Sequence, residues 1–237
     1  MTNLTLLSAS QAFHYQPDDI RLSYLSMTDT FNAIQRVFEF RSASLGTPRA
    51  TFGPVELTNP PGLQYEWGQG NIDNITFPIR LLTVDNRRVV WEIAGAHTEH
   101  IDGLMSQLLE VCSLFQPEDG NATLGPWQST SWFSELSFTL DESIARWKEK
   151  MAILKIIDEA LYQVIPAEKH TFPSIYVHNY LEQEPYPGDF RPWHGSKYTL
   201  SLRQGTTVGE NTFYSSAPLT THQHITLIDR IEQFLKD

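Results

Sequence analysis

One order of features occurs at two places in this chain. In the first, Leu22-Ser23-Tyr24 precedes an amphipathic segment, the turn Pro60-Pro61-Gly62, Trp67 five residues on, strand-like runs, and a helix opening at His100-Ile101. In the second, Leu136-Ser137-Phe138 precedes a longer amphipathic segment, Pro185-Tyr186-Pro187-Gly188, Trp193 again five residues on, strand-like runs, and a helix opening at His224-Ile225. Trp67 and His100 are 33 positions apart, Trp193 and His224 31. The expectation is therefore an α+β chain of two similar halves, each strand, helix, three or four antiparallel strands, helix, fused as an internal duplication. Such an architecture names no activity by itself.

The expected layout is an N-terminal segment at 1–19, a first repeat at 20–115, a connection at 116–131 and a second repeat at 132–237. Residues 19–25 alternate, with Ile20, Leu22 and Tyr24 on one face, and read as a strand. Phe31, Ile34, Val37 and Phe38 then make one helical stripe, with Ser26, Thr28 or Asp29 available as N-cap. Short apolar runs at 51–57 and 63–67 flank the Pro-Gly reversal, and runs at 75–84 and 87–93 joined at Asp85-Asn86 read as a hairpin. Ile101, Leu104, Met105, Leu108, Leu109, Cys112 and Phe115 recur at helical spacing, although Gly103 weakens that helix's first turns.

Pro117, Gly120, Gly125 and Pro126 give 116–131 the composition of a connection, made apolar by Trp127. In the second repeat a strand is expected at 132–138, followed by a long helix from Asp141 that Pro166 ends. Strands follow at 174–181, 198–203 and 212–215, the last two joined by a turn at 205–209. The final helix uses Ile225, Ile228, Ile231 and Leu235, and Thr221 or Thr220 can cap it.

The 17 basic and 28 acidic residues leave a formal charge of -11, a field that repels phosphate backbones and anionic lipid. Neither nucleic acid nor membrane is expected as a partner. The single cysteine, Cys112, excludes an internal disulfide framework and falls on an apolar stripe, where a thiol acts as a small hydrophobe. No basic residue precedes the first apolar stretch as in a signal peptide, and no run approaches the ~20 residues of a membrane span. The expected location is the cytoplasm, and no cofactor is called for.

Two kinds of candidate site emerge. His97-Thr98-Glu99-His100 and His222-Gln223-His224 stand at the entries to the two final helices, where His97, His100, His222 and His224 are weak metal-ligand candidates. Their spacing is not that of an HExxH helix pair, and capping or surface roles compete. The turn-and-tryptophan segments offer Tyr65 and Trp67 in one half and Arg191, Trp193 and His194 in the other as ligand- or partner-binding residues. The competing role for these rings is cover for the sheet. No GxSxG elbow, P-loop or GxGxxG occurs.

The expected function is binding without catalysis: an acidic surface recognising a protein partner, a basic one being its electrostatic complement, as an inhibitor, an immunity-type protein or an accessory subunit. The alternative is a small-molecule binding protein or hydrolase with its pocket between the two halves.

Overall fold

The computed structural model of the chain describes residues 2–16, 18–46, 62–115, 120, 122–140, 175–178, 197–203 and 211–237. These form a mixed α+β fold with nine strands and four helices among the described residues. The order is β1 (Thr2–His14), α1 (Leu22–Leu25), α2 (Thr28–Val37), β2 (Ser42–Gly46), β3 (Gly62–Ile72), β4 (Ile75–Val84), β5 (Arg88–Ile93) and α3 (Glu99–Ser113). It continues through β6 (Ser129–Thr139), β7 (Ile175–His178), β8 (Lys197–Leu202), β9 (Thr212–Ala217) and α4 (Thr221–Lys236). Among the described residues no helix is long and apolar enough to cross a membrane.

The chain divides into two compact units. One, the N-terminal unit, comprises Ser8–Ser134 with Leu219–Thr221; the other, the C-terminal unit, comprises Met1–Leu7, Glu135–Pro218 and His222–Asp237.

In the N-terminal unit the strands run in the order β2-β3-β4-β5-β1. Each neighbouring pair is antiparallel. The hairpin at Asp85 is locked by one side chain. Asp85 Oδ1 accepts the N–H groups of Arg87 and Arg88, both at 2.8 Å, while Oδ2 accepts the Arg88 guanidinium at 2.9 Å. A carboxylate that satisfies the turn's own donors in this way fixes the register of both strands.

The core of this unit lies between sheet and helices. From α3 it takes Ile101, Leu104, Met105, Leu108, Val111 and Cys112; from α2, Ile34; and from the sheet, Leu63, Tyr65, Ile79, Leu82, Val89, Trp91 and Ile93. Each such side chain contributes about 1.5–3 kcal/mol relative to exposure. Gly103 has a packing role in α3. A Cβ there would lie 2.8 Å from Ile72 Cδ1, so a side chain at this position would require Ile72 to shift.

In the C-terminal unit the order is β6-β9-β8-β7, with β7–β8 and β8–β9 antiparallel. Leu136, Phe138, Leu200, Phe213, Ile228 and Leu235 form its core. Phe138 and Phe213 stack with centroids 6.0 Å apart.

Several local expectations are corrected. Residues 19–25 are not a strand: Ile20 makes one isolated bridge with Leu124, and Leu22–Leu25 closes into a helical turn that buries Leu25. Four apolar residues at 20, 22, 24 and 25 satisfy either period, and with no strand alongside the helical one wins. Leu22-Ser23-Tyr24 is thus not the equivalent of Leu136-Ser137-Phe138, which lies in β6. The first strand is β1 instead. Val37 is exposed, so the α2 stripe is narrower than its sequence implies. Neither Ser26, Thr28 nor Asp29 is the N-cap of α2; Met27 occupies that position without a side-chain hydrogen bond. The expected strand at 51–57, the Pro60-Pro61 turn, the long helix from Asp141 and the turn at 205–209 lie outside the described residues.

Candidate functional site

Two places on the N-terminal unit combine exposure with unusual geometry. The first is Trp67. Beyond its first residue, Gly62, β3 buries Leu63 and Tyr65, then Gly68 and Gly70, so the alternation slips by one residue at Glu66-Trp67. Opposite the slip, the Arg41 N–H approaches two carbonyls at once, Glu66 at 3.2 Å and Trp67 at 3.3 Å. The β3–β4 register stays continuous across this point, from Glu66 opposite Leu81 to Gly68 opposite Ile79, and a register shift lies on the neighbouring strand, between Ile79 and Leu81 of β4. Trp67 takes φ +58 there, a left-handed conformation rare for bulky side chains, and is 57% exposed. Beside it Gly68 admits the end of α2, since a Cβ would lie 2.5 Å from the Phe38 carbonyl oxygen.

The slip in burial separates the two residues that the sequence placed together. Tyr65 is fully buried, its ring centroid 5.1 Å from that of Phe31 and 5.2 Å from that of Phe40, whereas Trp67 stands in solvent. Burial drives the Tyr65 hydroxyl far above the usual phenol range, so it stays protonated.

The second place is an open groove of about 670 Å³ where the C-terminal ends of α2 and α3 approach the β3–β4 hairpin. Val37 lines it from the end of α2 and Glu39 from just beyond it, Gln69, Gly70 and Asn71 from β3, Thr76 from β4, Gln107, Glu110, Val111 and Ser113 from α3, and Leu114 from the C-cap of α3. Leu114 is 77% exposed. Gln107 donates to the Asn71 carbonyl at 3.2 Å, bracing helix against hairpin. No lysine, arginine or histidine lines the groove among the described residues.

The histidines do not assemble a metal centre among the described residues, where no three metal-ligating side chains converge. His97 and His100 are neighbours with ring centroids 5.9 Å apart; His100 Nδ1 lies 3.2 Å from the His97 carbonyl oxygen and its ring meets Phe77 edge-on. His222 is exposed, while His224 is fully buried with Nε2 2.8 Å from Ser215 Oγ. Burial along α3 and α4 sets His224 in phase with Ile101, one position away from the sequence pairing of His224 with His100. His224 therefore occupies a core position. Ser215 Oγ also donates to the Thr199 carbonyl at 3.1 Å, which ties the histidine to β8 and β9.

A second serine–histidine pair joins β1 to β6, His14 Nε2 lying 2.9 Å from Ser131 Oγ. Desolvation, with Arg88 as its cross-strand partner, pushes the His14 pKa down to about 4. Cys112 is buried and its thiol pushed up to about 12, so it carries no thiolate at neutral pH.

Arg191, Trp193 and His194 lie outside the described residues. Glu39, Glu110 and the His14–Ser131 pair are absent from the sequence-based candidates. The pair is 117 residues apart, and no local motif joins its members. For Glu39 a signal did exist, a carboxylate just beyond a helix end. No protein-family model matches this chain, and no curated protein matches it in sequence.

Proposed function

We propose that this chain is a non-catalytic binding protein, built by internal duplication and working in the cytoplasm, that recognises a basic protein partner as an inhibitor, immunity-type protein or accessory subunit. Trp67 carries the reading. A bulky ring held in a left-handed backbone costs about 1–3 kcal/mol, and strain of that kind clusters where a ligand or partner is met. Here it turns an aromatic side chain into solvent, the residue type most enriched among binding hot spots. A net charge of -11 steers a basic partner toward the chain.

Duplication is supported by strand order. In one half the last antiparallel strand, β5, lies beside the first, β1; in the other β9 lies beside β6. Each half ends in a helix with a buried threonine at its start, Thr98 just before α3 and Thr221 as the first residue of α4.

Catalysis has less support. A base needs a pKa near the working pH, and His14 falls well below it. Ser215 and His224 are both fully buried, out of a substrate's reach.

The test is affinity purification of the tagged full chain from its source, in parallel with Trp67→Ala. The proposal expects a stoichiometric basic protein that the variant fails to retain while its thermal unfolding is unchanged. A variant that retains every partner of the wild type overturns it.

A further inference from the structure

We propose that the groove at the ends of α2 and α3 receives a lysine or arginine side chain, flanked by apolar residues, from the partner protein. This rests on the reading of the chain as a binder of a basic protein and names the chemistry of one contact.

Three observations converge on a cation. Glu39, just beyond α2, and Glu110, on α3, both line the groove and are exposed. Neither has an ion-pair partner among the described residues. Both helices present their C-terminal ends here, α2 through Val37 and α3 through Ser113, and those ends carry the negative pole of the helix dipole. Among the described residues no basic side chain lines the groove; Arg36, in the last turn of α2, lies outside its lining.

The rest of the lining matches what surrounds such a charge. Val37, Val111 and Leu114 offer apolar surface for the methylene stem of a lysine or arginine, which buries its stem while its head stays polar. Gln69 and Asn71 present amide oxygens that accept from ammonium or guanidinium. At about 670 Å³ the groove exceeds one side chain and takes its flanking residues as well. A simple metal cation would leave the apolar lining unused. A protein segment uses all of it.

The probe is the blocked peptide acetyl-Leu-Lys-Leu-Arg-Leu-amide, titrated into the ¹⁵N-labelled full chain and followed by NMR. Saturable shifts are expected at 69–71, 76 and 107–114. The double variant Glu39→Gln, Glu110→Gln, altered only at exposed positions, is expected to bind about tenfold more weakly with unchanged thermal unfolding. Trp67→Ala is expected to bind the peptide as the wild type does. Shifts scattered over the surface, or equal affinity in the double variant, overturn the inference. Spermidine binding as tightly as the peptide also overturns it, since the charge alone would then suffice. If Trp67→Ala abolishes capture of the natural partner but the double variant captures it normally, this inference fails and the proposed function stands. If the peptide docks as described but no basic partner depends on Trp67, the reverse holds.

Discussion

Thr98 and Thr221 cap each other. The backbone N–H of Thr98 donates to Thr221 Oγ1 at 3.0 Å, and the backbone N–H of Thr221 donates to Thr98 Oγ1 at 2.9 Å, 123 residues apart in sequence. Thr98 precedes α3 and Thr221 opens α4, so each hydroxyl satisfies an N–H that its partner's helix cannot. The Thr98 hydroxyl donates its own hydrogen bond to Glu99 Oε2 at 3.1 Å. The sequence offered Thr221 or Thr220 as the cap of this helix; Thr221 is its first residue, so Thr220 stands at the position before it, and the Thr221 N–H is met by the distant Thr98. Thr98→Val keeps the shape and removes the acceptor, leaving a buried N–H unpaired at a cost of about 1–3 kcal/mol. Thr221→Val is expected to cost the same, and the double variant about the sum, since each change leaves a different backbone N–H unpaired. Urea unfolding of the four proteins measures this, with Thr98→Ser expected to stay near wild type.

Two tryptophans of the same unit should respond in opposite ways. Trp91 is fully buried, 5.1 Å from Phe38, and Trp91→Ala is expected to cost about 3–5 kcal/mol. Trp67→Gly removes an exposed ring and supplies the residue that tolerates φ +58 without steric cost. Its unfolding midpoint is expected to equal or exceed the wild type's. A large loss in Trp67→Gly would place the ring in the core rather than in solvent.

How far the sequence reveals this molecule depends on whether a residue's neighbours along the chain decide its place. They do in α3, where Ile101, Leu104, Met105, Leu108 and Cys112 recur at helical spacing and are buried together. They do at Asp85, whose carboxylate closes its own turn. They do not in β1. Ser8, Ala9, Ser10, Gln11, Ala12 and Phe13 are all buried, so both faces of that strand are covered. Small and polar residues packed on two sides show no alternation to read. The slip at Trp67 depends on Arg41 approaching two carbonyls, and the groove unites Glu39 with Glu110 only after α2 and α3 are set on the sheet. Neither relationship is a motif.

Gly68 tests the fit between β3 and the end of α2. The atom that an added methyl would meet at 2.5 Å is a backbone carbonyl, Phe38 O, which already accepts the Gln69 N–H at 2.8 Å and cannot swing aside like a side-chain tip. Gly68→Ala is therefore expected to destabilise by about 1–3 kcal/mol, as overpacking does. Gly120→Ala has open space around its Cβ and only a φ of +75 to contend with, so it should cost less. Denaturant midpoints of the two variants decide the order.

The His14–Ser131 pair predicts how stability depends on pH. Unfolded, the imidazole titrates near 6.5; folded, desolvation and then Arg88 hold it at about 4. Between those values the unfolded chain binds the proton and the folded chain does not, so acid favours unfolding. The contribution is intact above pH 6.5, declines as pH falls toward 4, and changes no further below it. His14→Gln retains an amide that can reach Ser131 but carries no titrating group. Chemical unfolding at pH 7.5, 6, 5 and 4 should show the wild type losing more stability than His14→Gln across that window, and the two curves running parallel above it. Identical pH dependence in both proteins would mean that His14 is as free to take up a proton in the folded chain as in the unfolded one, against the burial that its contact with Ser131 implies.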